Sequence, residues 1–116
     1  AGSLPYDETL DAKAAVQQAL VAARISRVPV LVILGANWCE GCRALDRALN
    51  SGRSAGLLTS AFKVVKVDVD QAPGTAAKFG VLSIPTLMIF QGGKVKDQYV
   101  GLLSKKALAD RVDKVL

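Results

Sequence analysis

The chain has 116 residues, of which 51% are apolar, and this length suffices to bury one hydrophobic core without a metal or a staple. The complete lack of histidine excludes imidazole bases, His-ligated metals and Cys–His nucleophile pairs. The net charge is +5, but the lysines and arginines are scattered and aromatic residues are few. This pattern favours a solvated basic surface with a mild preference for acidic partners, and no nucleic-acid-binding face.

The first part of the chain predicts three helices and two strands. Apolar spacing over residues 8–26 predicts an amphipathic helix, which Pro29 ends. The continuous apolar run 30–34 is typical of a strand covered on both faces. Helical patterning resumes near Cys39 and closes at residues 50–52, a short helix follows, and residues 62–69 alternate as a strand.

The second half predicts a helix, a hairpin and a last helix. A turn at residues 71–75 leads into a short helix, and strands 86–90 and 95–100 flank a Gly-Gly turn. Ser104 is the predicted N-cap of a final amphipathic helix. We therefore expect one α/β domain over residues 1–116, with a mixed sheet of about four strands and helices on both faces. The longest apolar run, residues 28–36, is too short for a bilayer, so we expect no membrane segment.

The chemistry of the chain centres on its two cysteines, Cys39 and Cys42, at the start of the second predicted helix. Their spacing puts both sulfurs on one helix face, close enough to bridge. Helix N-termini and C-x-x-C motifs lower the pKa of a thiol from about 8.5 to about 3.5–7.5. We predict that Cys39 attacks a substrate disulfide, and that Cys42 then attacks the mixed disulfide and releases the reduced partner.

Two other interpretations of the cysteine pair compete with this one. A structural zinc site needs four ligands, usually Cys or His, so this chain would need a dimer or carboxylates to complete one. A pair of reduced core thiols is disfavoured because Trp38, Glu40 and Gly41 are poor core neighbours. We expect no metal, and no cofactor besides the redox-active disulfide Cys39–Cys42.

Four blocks in order resemble the thioredoxin family over residues 29–116. They are the segments 36–42, 67–75 and 83–87 and the pair Val100-Gly101. The resemblance implies a thioredoxin fold, lacking the family's usual first strand, and exchange of disulfides with protein substrates. Segments 4–8 and 35–46 look more like exported bacterial thioredoxin-like reductases or isomerases, which favours the bacterial periplasm over the cytoplasm.

The resemblance also gives Pro85 a role. In thioredoxin-like proteins the bond matching Ile84–Pro85 is cis and faces the disulfide, which would expose the Ile84 backbone for strand-like pairing with an extended substrate. The alternative is a trans proline that opens an edge strand. The implied shallow substrate groove around Cys39 consists of Trp38, Gly41, Ile84, Pro85, Val100 and Gly101.

The chain departs from thioredoxin in its charged residues near the cysteines. Ile33 stands where thioredoxins have a buried Asp that helps to move the proton of the second cysteine, whereas the accompanying basic residue is kept as Lys66. We expect an unpaired Lys66 to favour the thiolate. Glu40 is either a substitute for the missing acid or a source of repulsion that raises the thiol pKa.

Further departures lie around the motif. Glu40-Gly41 replaces the Gly-Pro of thioredoxins, and because Gly inside a helix costs roughly 0.5–1 kcal/mol, we predict a less reducing potential. Gly35 replaces a bulky aromatic residue, and Arg47 replaces a proline of the helix. These two changes argue against docking to a thioredoxin reductase.

The sequence thus predicts a monomeric thiol–disulfide oxidoreductase acting on protein substrates, with an upstream reductant or oxidant of unknown identity. Reduction is the favoured direction because Ile84 before Pro85 is the thioredoxin-like choice. The main alternative is a redox-inactive binding module of the same fold, and the second is a metal-bridged dimer.

Overall fold

The structure is a computed structural model that describes residues 5–50, 56 and 60–101. Four strands form one sheet in the order β2-β1-β3-β4: β1 (Val30–Gly35), β2 (Lys63–Asp68), β3 (Thr86–Gln91) and β4 (Lys94–Val100). Strand β1 pairs parallel with β2 and antiparallel with β3, and β3 and β4 form an antiparallel hairpin. The predicted mixed sheet of about four strands is confirmed.

Three helices are described: α1 (Ala12–Ser26), α2 (Glu40–Leu49) and α3 (Pro73–Lys78). Helix α1 begins later than residue 8 because the carboxylate of Asp11 accepts a hydrogen bond from the Ala14 backbone N–H at 3.1 Å and caps the helix there. It ends at Ser26, and the next residue, Arg27, caps it with a left-handed backbone at φ 58°. The predicted helix from Ser104 lies outside the described residues, as does most of the short helix predicted before β2.

Strand β1 divides the interior into two apolar cores. All six of its residues are buried, and successive side chains point to opposite faces of the sheet. On one face Val30, Val32 and Leu34 pack with buried residues of α1, and on the other Leu31 and Ile33 pack with α2. The run predicted to be covered on both faces is therefore covered by helices, and its end at Gly35 leads directly into the cysteine motif. No helix in the described ranges is long and apolar enough to cross a membrane.

Candidate active site

The cysteine motif forms the N-terminus of α2. Cys39 is the N-cap residue with an extended backbone, and the helix begins at Glu40. Sγ of Cys39 accepts a hydrogen bond from the Cys42 backbone N–H at 3.2 Å, in the place where a capping oxygen normally lies. Backbone N–H groups at this end of a helix stabilise negative charge. The local geometry therefore suits a thiolate at Cys39.

The two sulfurs have different environments. Both cysteines are thiols, and Cys39 is 8% exposed whereas Cys42 is 1% exposed. Burial, followed by a hydrogen bond with Cys39, raises the pKa of the Cys42 thiol to about 12. Because the thiolate is the nucleophilic form, the raised pKa leaves Cys42 protonated and unreactive at neutral pH.

The Pro85 loop lies against the start of α2. The Ile84–Pro85 peptide is cis, as the family resemblance implied. A Cβ atom placed on Gly41 would lie 3.6 Å from Cδ of Pro85, which is ordinary van der Waals contact. The backbone N–H of Gly101 donates to the Pro85 carbonyl at 2.8 Å. The predicted groove residues Gly41, Ile84, Pro85 and Gly101 are thus brought together from three parts of the chain.

Two other predicted groove residues, Trp38 and Val100, are exposed apolar side chains at 67% and 59%. The indole N–H of Trp38 donates to Oδ2 of Asp70 at 2.5 Å, so the turn after β2 fixes the ring edge. Leu82, which the sequence analysis did not single out, is 98% exposed two residues before Ile84. The sequence signal that could have identified Leu82 is a large apolar residue in the loop just before Ile84-Pro85, where it has no helix or strand in which to be buried.

Lys66 has a partner, so the expectation of an unpaired lysine was wrong. Its Nζ lies 2.6 Å from Oδ1 of Asp46, which is four residues after Cys42 on α2. The register of the sheet places Ile33 directly beside Lys66. Ile33 is the position at which the family resemblance implies a carboxylate, and this chain has none there. The acid is supplied by the helix instead of by β1. Its i, i+4 relation to Cys42 was the overlooked signal.

Glu40 is held on the solvent side of the helix start. Its carboxylate lies 2.6 Å from Nη2 of Arg43 and 3.6 Å from Nη2 of Arg47, and its side chain is 74% exposed. The hydrogen bond from Arg43 holds the pKa of Glu40 below its usual range. The carboxylate is therefore ionised at neutral pH, and two arginines balance its charge.

Tyr6 is a further residue, besides Leu82 and Asp46, that the sequence analysis did not assign to the site. Its side chain is 3% exposed and belongs to the same apolar cluster as both cysteines. Two hydrogen bonds join its backbone to the side chain of Asn37: the Tyr6 N–H donates to Oδ1 at 2.9 Å, and Nδ2 donates to the Tyr6 carbonyl at 3.0 Å. The sequence shows this segment only as part of the family resemblance, because a contact over 31 positions leaves no local pattern.

The buried Cys42 thiol predicts a loss of stability of the reduced protein in alkali. Its folded-state pKa of about 12 exceeds the unfolded value of about 8.5, so the unfolded state loses this proton first as the pH rises. The contribution is fully present below about pH 8.5 and declines toward pH 12, at up to about 1.4 kcal/mol per pH unit. Urea unfolding of the reduced protein across this range should show a steeper decline than that of Cys42→Ala. Equal pH slopes for the two proteins would contradict this prediction.

The described ranges hold no cluster of three or more His, Cys, Asp or Glu side chains that could bind a metal ion. The chemistry that the site offers comes from the two sulfurs, the helix N-terminus, and the polar groups around Cys42. That set of groups suits disulfide exchange, in which a thiolate attacks a sulfur of a disulfide and forms a mixed disulfide. A second thiol then attacks the mixed disulfide and displaces the bound partner.

Comparison with known proteins identifies the family. The family model described as Thioredoxin matches residues 10–114. The chain is 45% identical to a thioredoxin of Streptomyces clavuligerus, over 72% of this chain and 75% of that protein. It is 42% identical to a thioredoxin of Synechocystis, over 78% and 83%.

A solved structure extends this likeness to the fold. The disulphide isomerase of Xylella fastidiosa Temecula1 is 33% identical and superposes with a TM-score of 0.87, covering 99% of this chain and 98% of that one. The match confirms the predicted thioredoxin fold. The cysteine pair at the start of α2 supplies the redox motif that such a fold presents. The chain therefore belongs to the thioredoxin family of disulfide oxidoreductases.

Proposed function

We propose that this protein is a monomeric reductase of protein disulfides, with the Cys39–Cys42 pair as its redox group. The observation that carries the proposal is the asymmetry of the pair. Cys39 caps the helix and is 8% exposed, whereas Cys42 is 1% exposed directly behind it. A two-step exchange uses a more accessible sulfur for the first attack and a more deeply buried sulfur for resolution, and the order of exposure here matches those two tasks.

The reaction begins when the Cys39 thiolate attacks one sulfur of a substrate disulfide. A bond forms between Cys39 and that sulfur, and the other substrate sulfur leaves as a thiolate that takes a proton. Cys42 then loses its proton and bonds to Sγ of Cys39, and the second substrate sulfur leaves. The protein dithiol has been oxidised by two electrons to a disulfide, and the substrate disulfide has been reduced to two thiols. An upstream dithiol must then reduce the protein again.

The substrate segment would lie in the groove around the motif. In this proposal the Ile84 backbone before the cis proline pairs with an extended chain, as strand addition does at an exposed edge. Trp38 and Val100 offer exposed apolar surface on either side, at 67% and 59%. Leu82 joins them in the proposal because it is 98% exposed next to the same loop.

Reduction of insulin driven by dithiothreitol tests the proposed function. The reduced wild type should accelerate precipitation of the insulin B chain, and Cys39→Ser should fall to the uncatalysed rate because the attacking sulfur is gone. A wild type no faster than Cys39→Ser would overturn the proposal and favour a redox-inactive binding module instead. Bound zinc or copper in purified dimeric protein would favour the metal-bridged alternative.

The potential of the couple is predicted to be less reducing than the value of about −270 mV known for thioredoxin. Gly41 lies in the first turn of α2, and closing the disulfide must order a more flexible segment than a Gly-Pro pair provides. A cost of roughly 0.5–1 kcal/mol corresponds to about 10–20 mV. Equilibration with glutathione buffers measures the potential, and the double variant Glu40→Gly, Gly41→Pro should lower it. An equal or more negative wild-type potential would contradict this expectation.

Lys66 is proposed to favour the Cys39 thiolate as one half of the pair with Asp46. In Lys66→Ala the carboxylate of Asp46 loses its partner one turn from Cys42, so we expect less thiolate at neutral pH. Because the two side chains are 33% and 23% exposed, we also expect a loss of about 1 kcal/mol in unfolding free energy. Ultraviolet titration of the thiolate measures the first effect, with the exposed Lys63→Ala on the same strand as control. An unchanged titration would refute this role.

We propose the bacterial periplasm as the location of this protein. The support is the likeness of segments 4–8 and 35–46 to exported bacterial proteins, and these segments are the ones joined through Tyr6 and Asn37. Fractionation of the source cells tests the location, and recovery of the protein with the cytoplasmic markers would refute it.

A further inference from the structure

The sulfur of Cys42 is surrounded by hydrogen-bond donors although it is buried. The hydroxyl of Tyr6 and the backbone N–H of Ala36 are oriented to donate to it, and each lowers the Cys42 pKa against the stronger effect of burial. A Cβ atom on Gly35 would contact both Oη of Tyr6 and Sγ of Cys42, so the hydroxyl and the sulfur lie on the same side of that residue. Burial also raises the pKa of Tyr6 well above its ordinary value, so its hydroxyl keeps its proton at neutral and mildly alkaline pH. Tyr6 can therefore act as a donor toward Cys42 throughout the working range.

Gly35 is the residue that lets Tyr6 reach the sulfur. A Cβ atom built on Gly35 would collide with Oη of Tyr6 and lie 2.8 Å from Sγ of Cys42. The missing side chain at the end of β1 is thus replaced by a ring from the segment before α1. Asn37, two residues after Gly35, anchors that segment through the two hydrogen bonds to the Tyr6 backbone at 2.9 and 3.0 Å.

Among the described residues, three elements besides the Tyr6 segment lie around Cys42, and two of them carry charged side chains. On α2 lie Cys39, whose sulfur binds the Cys42 N–H, and Asp46 one turn further on. On β2 lies Lys66, which neutralises Asp46 at 2.6 Å. Strand β1 contributes Ile33 and Gly35, which carry no charge. With Asp46 paired, the uncharged donors Tyr6 and Ala36 are the groups within the described residues that lower the pKa of Cys42 and so stabilise negative charge on it.

We propose that Tyr6 is a positioning residue for the second step of disulfide exchange: its buried hydroxyl donates to Sγ of Cys42 and stabilises the thiolate that resolves the mixed disulfide. This inference rests on the proposed function. In that step the Cys42 S–H bond breaks, the Cys42–Cys39 disulfide forms, and the substrate sulfur leaves Cys39 with the electron pair and takes up, through water, the proton that Cys42 has lost. Tyr6 keeps its own proton throughout and lowers the energy of the charge that develops on the buried sulfur. Tyr6 thus stabilises the thiolate once it has formed and is not the base that removes the proton.

The test follows the two steps separately with an aromatic disulfide, 5,5′-dithiobis(2-nitrobenzoate), mixed in equimolar amount with the reduced protein in a stopped-flow instrument. Attack by Cys39 releases the first coloured thiolate, and attack by Cys42 releases the second. In Tyr6→Phe we expect the second release to be about tenfold slower at neutral pH, with its pH–rate profile moved up by about one unit. The first release should keep its wild-type rate.

Tyr99→Phe is the matched control. Tyr99 is a second buried tyrosine of the same apolar cluster, and its hydroxyl donates to Asp97 instead of to a cysteine. Its two release rates should match the wild type. An unchanged second release in Tyr6→Phe, equal slowing of both releases, or equal slowing by Tyr99→Phe would each overturn the inference.

A second variant covers the case in which Tyr6→Phe does not fold. Asn37→Ala removes the backbone anchor of the segment without touching the ring, and it should also slow the second release selectively. An unchanged second release in that variant would overturn the inference. Failure of the proposed function has a different signature, because the wild type itself would then release only one thiolate or leave insulin intact.

Discussion

Replacing Cys42 with Ser is expected to turn the protein from a catalyst into a trap for its substrates. Cys39 remains at the helix N-terminus and still attacks, but no thiol lies behind it to displace the substrate. Resolution then needs a second molecule from solution, which forfeits the high effective concentration of a group held in place. We expect turnover with insulin to fall about a hundredfold or more while a covalent adduct accumulates.

Non-reducing gels measure the adduct, and added dithiothreitol should release the substrate by reducing the mixed disulfide. The matched control is Cys39→Ser, which should neither turn over nor form an adduct, because the remaining sulfur of Cys42 is 1% exposed and has a raised pKa. If Cys39→Ser trapped substrate and Cys42→Ser did not, the assignment of the two sulfurs would have to be reversed.

Adding one methyl group at the end of β1, in the variant Gly35→Ala, is expected to cause a large loss of stability. In Gly35→Ala the new Cβ meets Oη of Tyr6 and, at 2.8 Å, Sγ of Cys42. Overpacking of this kind costs about 1–3 kcal/mol, which lowers the melting temperature of a domain of this size by roughly 5–15 °C. The same collision should displace Tyr6 from Cys42, so the loss of stability is accompanied by slower resolution.

Gly74→Ala is the control for that substitution. Gly74 lies in helix α3, and a Cβ there would have no atom within 4 Å. Alanine favours a helix over glycine by about 0.8–1.0 kcal/mol, so this variant should melt at or above the wild-type temperature. Thermal unfolding of both variants, followed by circular dichroism, compares them directly. A Gly35→Ala protein as stable as Gly74→Ala would show that Tyr6 and Cys42 yield without cost.

The fold class and the cysteine motif were predictable because their signals are local. The apolar run 30–34 identifies a strand covered on both faces, and all of β1 is buried. A C-x-x-C pair at a helix start defines its own geometry within one turn, since Cys39 as the N-cap accepts a hydrogen bond from the Cys42 backbone N–H three residues on. The N-terminal boundary of α1 was less predictable. The pattern predicted a helix from residue 8, whereas the side chain of Asp11 caps the helix so that it begins at Ala12.

The sequence by itself determined the sheet, the two reactive sulfurs and the absence of a carboxylate at Ile33. Only the tertiary structure decided what surrounds Cys42, because those contacts join distant segments. Asp46 meets Lys66 over 20 positions, and Tyr6 meets Asn37 over 31. Contacts of this range depend on the pairing of β1 with β2 and on the packing of the Tyr6 segment against Gly35. Because the contacting residues are far apart along the chain, no periodic pattern in the sequence indicates them.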